Sequence, residues 1–204
     1  MANFIYVMDP MCSWCWAFSP VISHLKDKYP ELQWQLLMGG LAPDSDVPMP
    51  EAMQQKLISI WQHIEVHTGT KFNFDFWRKN TPRRSTYPAC RAVIAVEYLA
   101  PDSAFEMIGA IQQAYYQKAL NPSGIEVLTN LAGKIGVDKD RFSSLITSPE
   151  IQTELEQQIQ QSHALGAQGF PSLFVATETG AHAISYGYCG IEEVTRRIEA
   201  ILGR

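Results

Sequence analysis

The feature that most constrains this chain is a pair of cysteines, Cys12 and Cys15, which joins a strand pattern to a helix pattern. Residues 3–8 are apolar, aromatic or β-branched and end at Asp9-Pro10, which predicts a short buried strand. The apolar residues after the pair repeat with the spacing of one helical face: Phe18, Val21, Ile22, Leu25 and Tyr29. Two thiols three positions apart in the first turn of such a helix lie on the same side and can form a disulfide.

The position of the pair predicts different roles for the two thiols. Cys12 lies where the helix begins, and there the unpaired N–H groups and the helix dipole favour a thiolate. Cys15 lies one turn further on and is expected to be the more buried of the two. We therefore assign Cys12 as the attacking thiolate, which forms a mixed disulfide, and Cys15 as the resolving thiol, which releases the product. The reverse direction oxidises a substrate dithiol.

Composition indicates a folded protein of one large domain or of one domain that carries an insertion. The chain has 204 residues, 46% of them hydrophobic and 18% charged, which excludes a disordered chain or a coiled coil. A net charge of -5 argues against nucleic acid or an anionic membrane as the main partner. No basic segment or long apolar stretch precedes the first strand, so we expect a cytoplasmic protein. In that compartment a close cysteine pair favours catalysis or metal binding over a structural disulfide.

The order of the patterns predicts a sheet that is divided by a helical insertion. Residues 33–38 are a second strand candidate, which completes a βαβ unit with parallel strands. The pattern from 41 to 166 is mostly helical, and two strands separated by residues 177–180 then precede a C-terminal helix. We therefore expect an α/β fold with one domain made of residues 1–40 and 167–204, and an inserted helical domain of residues 41–166.

Two patterns within the insertion predict where helices begin. Ser123 and Glu126 have the spacing of a capping box ahead of an apolar run. Ser148 followed by Pro149 places an N-cap residue directly before a proline in the first helical position.

Four other residues could bind a metal or react as thiols, but each is also of a kind commonly found in a protein without such a role. His63 and His67 are four residues apart, but no second C-x-x-C accompanies them, so we predict no metal site. Cys189 falls in the loop before the last helix and is either a third reactive thiol or a small apolar residue. Cys90 begins an apolar helix and is expected to serve packing.

Two segments resemble a known family. The run from Met11 to Trp16, Pro20 in the next helix, and Gly169-Phe170-Pro171-Ser172 before a strand resemble the thioredoxin superfamily. The helical insertion is similar to that of its DsbA-like branch, which includes FrnE-type proteins and proteins named as disulfide isomerases. The resemblance covers nearly the whole chain. It implies a thioredoxin-like fold with a large α-helical insertion between the βαβ and ββα halves.

The resemblance also implies a substrate site. The Phe170–Pro171 bond should be cis and lie beside the cysteine pair, so that the backbone of Phe170 can pair with a substrate strand. Trp14, between the cysteines, is expected on the surface, where an aromatic side chain suits peptide-like substrates. Trp14, Phe170 and Pro171 are therefore the predicted substrate-binding residues.

The sequence departs from the family pattern at the cysteine pair. Thioredoxins and DsbA carry a buried acid in the first strand, six residues before the first cysteine, where this chain has Tyr6. A water, a hydroxyl or another carboxylate would then have to handle the proton of Cys15. The dipeptide Ser13-Trp14 matches neither the Gly-Pro of thioredoxins nor the Pro-His of DsbA, so the motif does not indicate a reduction potential.

The leading interpretation is a thiol–disulfide oxidoreductase of the protein disulfide reductase or isomerase type. Its only cofactor would be its own redox-active disulfide, with glutathione a candidate co-substrate and protein or small-molecule thiols and disulfides as partners. The first alternative is a glutathione-dependent transferase or isomerase of the kappa class or the 2-hydroxychromene-2-carboxylate isomerase type, which typically has serine where Cys12 stands. The second is a non-catalytic binding module whose cysteine pair is a redox switch or a metal clip.

Overall fold

The computed structural model describes residues 2–203, and its elements follow the predicted order of βαβ, helical block and ββα. The four strands are β1 (Asn3–Met8), β2 (Gln33–Met38), β3 (Ser172–Thr177) and β4 (Gly180–Tyr186). The helices found in this range are α1 (Ser13–Lys28), α2 (Glu51–Thr68), α3 (Phe76–Lys79), α4 (Tyr87–Leu99), α5 (Ala104–Tyr116), α6 (Ile125–Lys134), α7 (Lys139–Ile146), α8 (Pro149–Ala164) and α9 (Ile191–Leu202). A 3-10 turn, Pro101–Ser103, precedes α5.

The strands form one mixed sheet in the order β2-β1-β3-β4. β1 and β2 are parallel, which confirms the predicted βαβ unit, and β3 runs antiparallel to both β1 and β4. β3 and β4 are longer than predicted because only Glu178 and Thr179 separate them. Gly180 closes this turn with a φ of 123°, a conformation that favours glycine. Val7 pairs with Ser172, so the end of β1 lies beside the start of β3.

Both faces of β1 are buried, and its residues alternate between them. Ile5 and Val7 form an apolar cluster with Leu37 and Phe174. Phe4 and Tyr6 face α1. The ring centroid of Tyr6 lies 6.2 Å from that of Phe18, and the ring centroid of Phe4 lies 5.9 Å from that of Tyr29. The even-numbered residues of β1 therefore face the helix that carries the cysteine pair.

The chain divides into two compact units. The first contains the sheet with α1 and α9 and consists of the residues up to Gly39 and those from Gln158 on; the second is the helical unit Gly40–Gln157. The sequence pattern places the second boundary at 166, whereas the division lies inside α8. One reason is that Gln158 is buried and its Oε1 accepts a hydrogen bond of 2.9 Å from the backbone N–H of Met38, at the end of β2.

The helical unit has an aromatic core centred on Trp61, which is 2% exposed. Its ring centroid lies within 6.0 Å of six other aromatic rings: Phe72, Phe74, Phe76, Trp77, Tyr115 and Tyr116. Most of these pairs are tilted or edge-to-face, the arrangements that aromatic quadrupoles favour. This cluster joins α2, α3 and α5.

The two predicted helix starts have different outcomes. α8 begins at Pro149, and Ser148 Oγ accepts the N–H of Ile151 at 3.3 Å, which confirms the predicted cap. The capping box at Ser123 is wrong. α6 begins at Ile125, and the Ser123 hydroxyl instead donates to the backbone oxygen of Ser85 at 2.7 Å, because Ser123 is buried beside that carbonyl.

Within residues 2–203, no helix has the length and apolar character needed to cross a membrane.

Candidate active site

The cysteine pair lies where β1 leads into α1. Cys12 is the N-cap residue of α1; its N–H donates to the backbone oxygen of Asp9 at 3.0 Å, and its oxygen accepts the N–H of Trp16 at 3.0 Å. A carboxylate oxygen of Asp9 accepts the N–H of Met11 at 2.8 Å, which fixes the turn before the helix. Neither cysteine forms a disulfide in this structure, and Cys12 is 8% exposed whereas Cys15 is fully buried. This confirms that Cys12 is the more accessible thiol.

Cys15 is held in its protonated form by its surroundings. Burial raises the pKa of the Cys15 thiol well above its usual value, and a hydrogen bond to Cys12 together with the charge of Cys12 raises it further. The backbone N–H of Asp9 donates to the same sulfur and opposes this rise, while the Asp9 carboxylate adds to it. At neutral pH the Cys15 thiol therefore keeps its proton and forms a hydrogen bond with Cys12.

Tyr6 completes the environment of Cys15. Its side chain is only 2% exposed. Burial raises the pKa of Tyr6 well above its usual value, and negative charge on either cysteine would raise it further, so the phenol stays protonated. From the sequence, position 6 was notable only because it lacks the acid that thioredoxins and DsbA carry there. In the structure, the Tyr6 side chain at this position is a buried phenol, which can donate a hydrogen bond.

The loop before β3 faces Cys12, as predicted. The Phe170–Pro171 bond is cis, and the Cys12 thiol donates to the backbone oxygen of Phe170 with an S···O distance of 3.6 Å. The oxygen of Pro171 accepts the N–H of Gly187 at 2.7 Å, which ties this loop to the end of β4. The half-buried ring of Phe170 packs on Gly39, where a Cβ would come within 1.9 Å of a ring carbon. Gly39 was missed by sequence reasoning because its contact partner is distant in the chain.

Aromatic residues line the accessible side of the pair. Trp14 was expected on the surface but is half-buried, because Tyr188 packs beside it with ring centroids 5.7 Å apart. Tyr188 also contacts Phe18 at 6.2 Å, which anchors the loop between β4 and α9 near the start of α1. Cys189 is half-buried in that loop. Tyr188 carries no sequence signal beyond its place in this loop.

The two histidines and Cys90, which the sequence also suggested as candidates, lie in the helical unit. His63 and His67 lie on α2 in the helical unit, with their rings stacked 5.9 Å apart. Cys90 is fully buried on α4 among apolar residues. Across the part of the chain that the structure describes, no group of three or more His, Cys, Asp or Glu side chains is placed to hold a metal ion.

A comparison with protein families finds a match for most of the chain. The family described as the DsbA-like thioredoxin domain matches residues 5–193. The chain belongs to this family. A solved protein from Nitrosomonas europaea, provisionally named a protein disulfide isomerase, is 29% identical, with 99% of this chain and 98% of that chain covered and a TM-score of 0.89.

Other relatives are more distant. The cytosolic disulfide reductase DsbM from Pseudomonas aeruginosa is 21% identical, covers 98% of both chains and has a TM-score of 0.81; a second DsbM structure contains GSH. The likeness to DsbM concerns the fold.

The curated ClpXP adapter protein SpxH from Bacillus subtilis is 23% identical over 137 residues, which is 66% of this chain and 45% of that protein. SpxH from Shouchella clausii is 20% identical over 190 residues, 86% of this chain and 58% of that protein. The chain thus spans about half the length of the curated relatives it matches.

Proposed function

We propose that this protein is a cytoplasmic thiol–disulfide oxidoreductase of the protein disulfide reductase or isomerase type. The observation that carries the proposal is the Cys12–Cys15 pair, with a slightly exposed cysteine at the start of α1, a fully buried partner, and the Phe170 carbonyl 3.6 Å from the Cys12 sulfur. Membership of the DsbA-like family and the naming of solved relatives as disulfide reductases and isomerases support it. The cytoplasmic location is supported by the cytosolic DsbM relative.

The chemistry begins with a thiolate at Cys12. It attacks one sulfur of a substrate disulfide, and the other substrate sulfur leaves as a thiolate. Cys15 then loses its proton and attacks Cys12, which releases the second substrate thiol and leaves a Cys12–Cys15 disulfide. Two molecules of a thiol co-substrate return that disulfide to the reduced pair: the first forms a mixed disulfide with Cys12 and frees Cys15, and the second attacks that mixed disulfide and leaves as the co-substrate disulfide. We propose glutathione for this step because the DsbM relative has been solved with GSH.

Substrate binding is proposed for three residues around Cys12. The backbone of Phe170, held beside Cys12 by the loop that Pro171 ends, can pair with an extended peptide. The half-buried ring of Trp14 offers apolar contact next to the reacting sulfur. These groups suit a peptide or a peptide-like thiol such as glutathione.

A second candidate function is a binding module that performs no catalysis. The curated relatives named ClpXP adapter proteins favour it, since their name describes a binding role. Under this alternative the cysteine pair would serve as a redox switch and would not turn over.

Insulin reduction separates these possibilities. We expect the protein to accelerate insulin precipitation in the presence of dithiothreitol, and we expect both Cys12→Ser and Cys15→Ser to abolish that turnover. Cys189→Ser is the matched control, since it removes a half-buried thiol of the same unit and should leave turnover within twofold. Absence of dithiol turnover together with glutathione conjugation would favour the transferase alternative. Absence of both activities would favour the binding module.

A further inference from the structure

The end of β2 and the loop before β3 meet close to the cysteine pair. Gly39, which follows β2, lies so near the Phe170 ring that a Cβ there would come within 1.9 Å of a ring carbon. The backbone oxygen of Phe170 in turn lies 3.6 Å from the Cys12 sulfur. The position of this carbonyl, where a peptide-like substrate is proposed to pair, therefore depends on where the backbone of β2 ends.

The end of β2 is held from two sides. In the sheet that the structure describes, β2 lies at an edge and pairs with β1. The N–H of Gly39 donates to the oxygen of Met8, in β1, at 2.7 Å. The N–H of the preceding residue, Met38, is buried and needs a partner outside the sheet, because consecutive N–H groups of a strand point in opposite directions. Gln158, a buried residue, supplies that partner: its Oε1 accepts this N–H at 2.9 Å.

The helix that carries Gln158 leads into the same loop. The part of α8 from Gln158 to Ala164 belongs to the sheet unit. Leu165 and Ala167, which follow α8, pack against the apolar cluster that includes Leu37, and Phe170 packs against it as well. The hydrogen bond of Gln158 therefore joins the two segments that support the backbone of Phe170, namely the end of β2 and the helix before the loop.

We propose that Gln158 is a positioning residue for exchange with peptide-like thiols and disulfides. It acts through the end of β2 and the loop before β3, which together align the Phe170 backbone with a substrate at Cys12. Displacing a positioning group by about 1 Å can slow a reaction by about 100-fold. The proposal rests on the proposed function and deepens it, because it predicts which substrates depend on this support.

The test compares two thiols that attack the oxidised protein. Glutathione has a peptide backbone that can pair with Phe170, whereas 2-mercaptoethanol has none. In each reaction a thiolate attacks Cys12, a new S–S bond to Cys12 forms, and the Cys12–Cys15 bond breaks with its electron pair going to Cys15. Acid quenching and mass spectrometry of the mixed disulfide give the glutathione-attack rate and the 2-mercaptoethanol rate.

Gln158→Met removes the carbonyl acceptor but keeps a side chain of similar length. We expect it to slow glutathione attack by about fivefold or more, because the unpaired N–H of Met38 displaces the end of β2. The 2-mercaptoethanol rate should change by less than twofold. Gln160→Met is the matched control, since Gln160 is exposed on the same helix, and both of its rates should stay within twofold of the wild type.

The ratio of the two rates separates positioning from a purely structural role. A structural role would lower the free energy of unfolding and leave this ratio unchanged for the folded protein. Gln158→Glu, which keeps an oxygen acceptor at the same reach, should return the glutathione-attack rate to within about threefold of the wild type. If Gln158→Met does not fold, Gln158→Asn, whose acceptor is one carbon shorter, should show the same selective loss.

Equal slowing with both thiols, or no slowing with glutathione, would overturn the role of Gln158. These outcomes differ from failure of the proposed function, in which neither thiol nor dithiothreitol would reduce the disulfide of the wild type.

Discussion

Cys15 and Tyr6 place two weakly acidic protons next to each other in a buried site. Burial raises the pKa of both groups, and the charge of Cys12 raises each further. Cys12, at the edge of the same site, is 8% exposed and contacts the carbonyl of Phe170. The difference between the two thiols thus arises from their surroundings, since their side chains are the same.

These shifts predict a pH-dependent stability for the reduced protein. In the unfolded chain Cys15 releases its proton near pH 8.5 and Tyr6 near pH 10, whereas the folded state retains both protons to higher pH. The folded state then binds more protons, so the free energy of unfolding should fall as pH rises, by at most about 1.4 kcal/mol per pH unit for each group. Urea unfolding of the reduced protein from about pH 7 to pH 10.5 measures this.

Two variants show which part of the pH dependence arises from Cys15 and which part from Tyr6. Cys15→Ser should remove the part that begins near pH 8.5, and Tyr6→Phe only the part that begins near pH 10. A Cys15→Ser protein whose stability falls with pH as steeply as that of the wild type would contradict this explanation.

At the scale of elements, the loop before β3 depends on a glycine at the end of β2. A side chain at Gly39 would overlap the Phe170 ring, whose backbone oxygen lies 3.6 Å from the Cys12 sulfur. We expect Gly39→Ala to destabilise the protein by about 1–3 kcal/mol, as overpacking does, and to lower the exchange rate by displacing this carbonyl. Chemical unfolding and insulin reduction measure the two effects.

Gly169→Ala is the control for that substitution. Gly169 lies in the same loop, but a Cβ there has no atom within 4 Å. It should leave exchange nearly unchanged. Combining Gly39→Ala with Phe170→Ala should cost less than the sum of the single changes, because the overlap disappears. Additive effects would show that the two residues do not interact.

The sequence predicts elements that local patterns define. β1, α1 and β2 follow from apolar runs and helical spacing, and the Ser148 cap of α8 follows from two adjacent residues. Contacts between distant residues have no such signal: the packing of Phe170 on Gly39 and of Tyr188 on Trp14 exists only once the sheet has formed. The Ser123 capping box was wrong for the same reason, since a distant carbonyl at Ser85 competes for the hydroxyl.

At the scale of the molecule, three residues placed at the cysteine pair belong to the sheet unit. Tyr6, Asp9 and Phe170 all lie in it, whereas Trp61 is the centre of the helical unit. We expect Trp61→Ala to lower the free energy of unfolding by about 3–5 kcal/mol, as truncation of a buried aromatic does. Circular dichroism during urea unfolding measures this change.

The same variant should retain its exchange chemistry. The glutathione-attack rate per folded molecule should stay within twofold of the wild type, because no contact found at the cysteine pair is changed. A Trp61→Ala protein that remains folded but loses exchange would show that the helical unit contributes to the reaction.

In the proposed mechanism, Cys12 forms the mixed disulfide and Cys15 resolves it. The most direct measurement is mass spectrometry of the reduced Cys15→Ser protein after brief exposure to glutathione disulfide. We predict one glutathione adduct, located on Cys12 by peptide mapping, that persists because no resolving thiol is present. The wild type should pass through this adduct to a Cys12–Cys15 disulfide. An adduct confined to Cys189, or no adduct at Cys12, would contradict this mechanism.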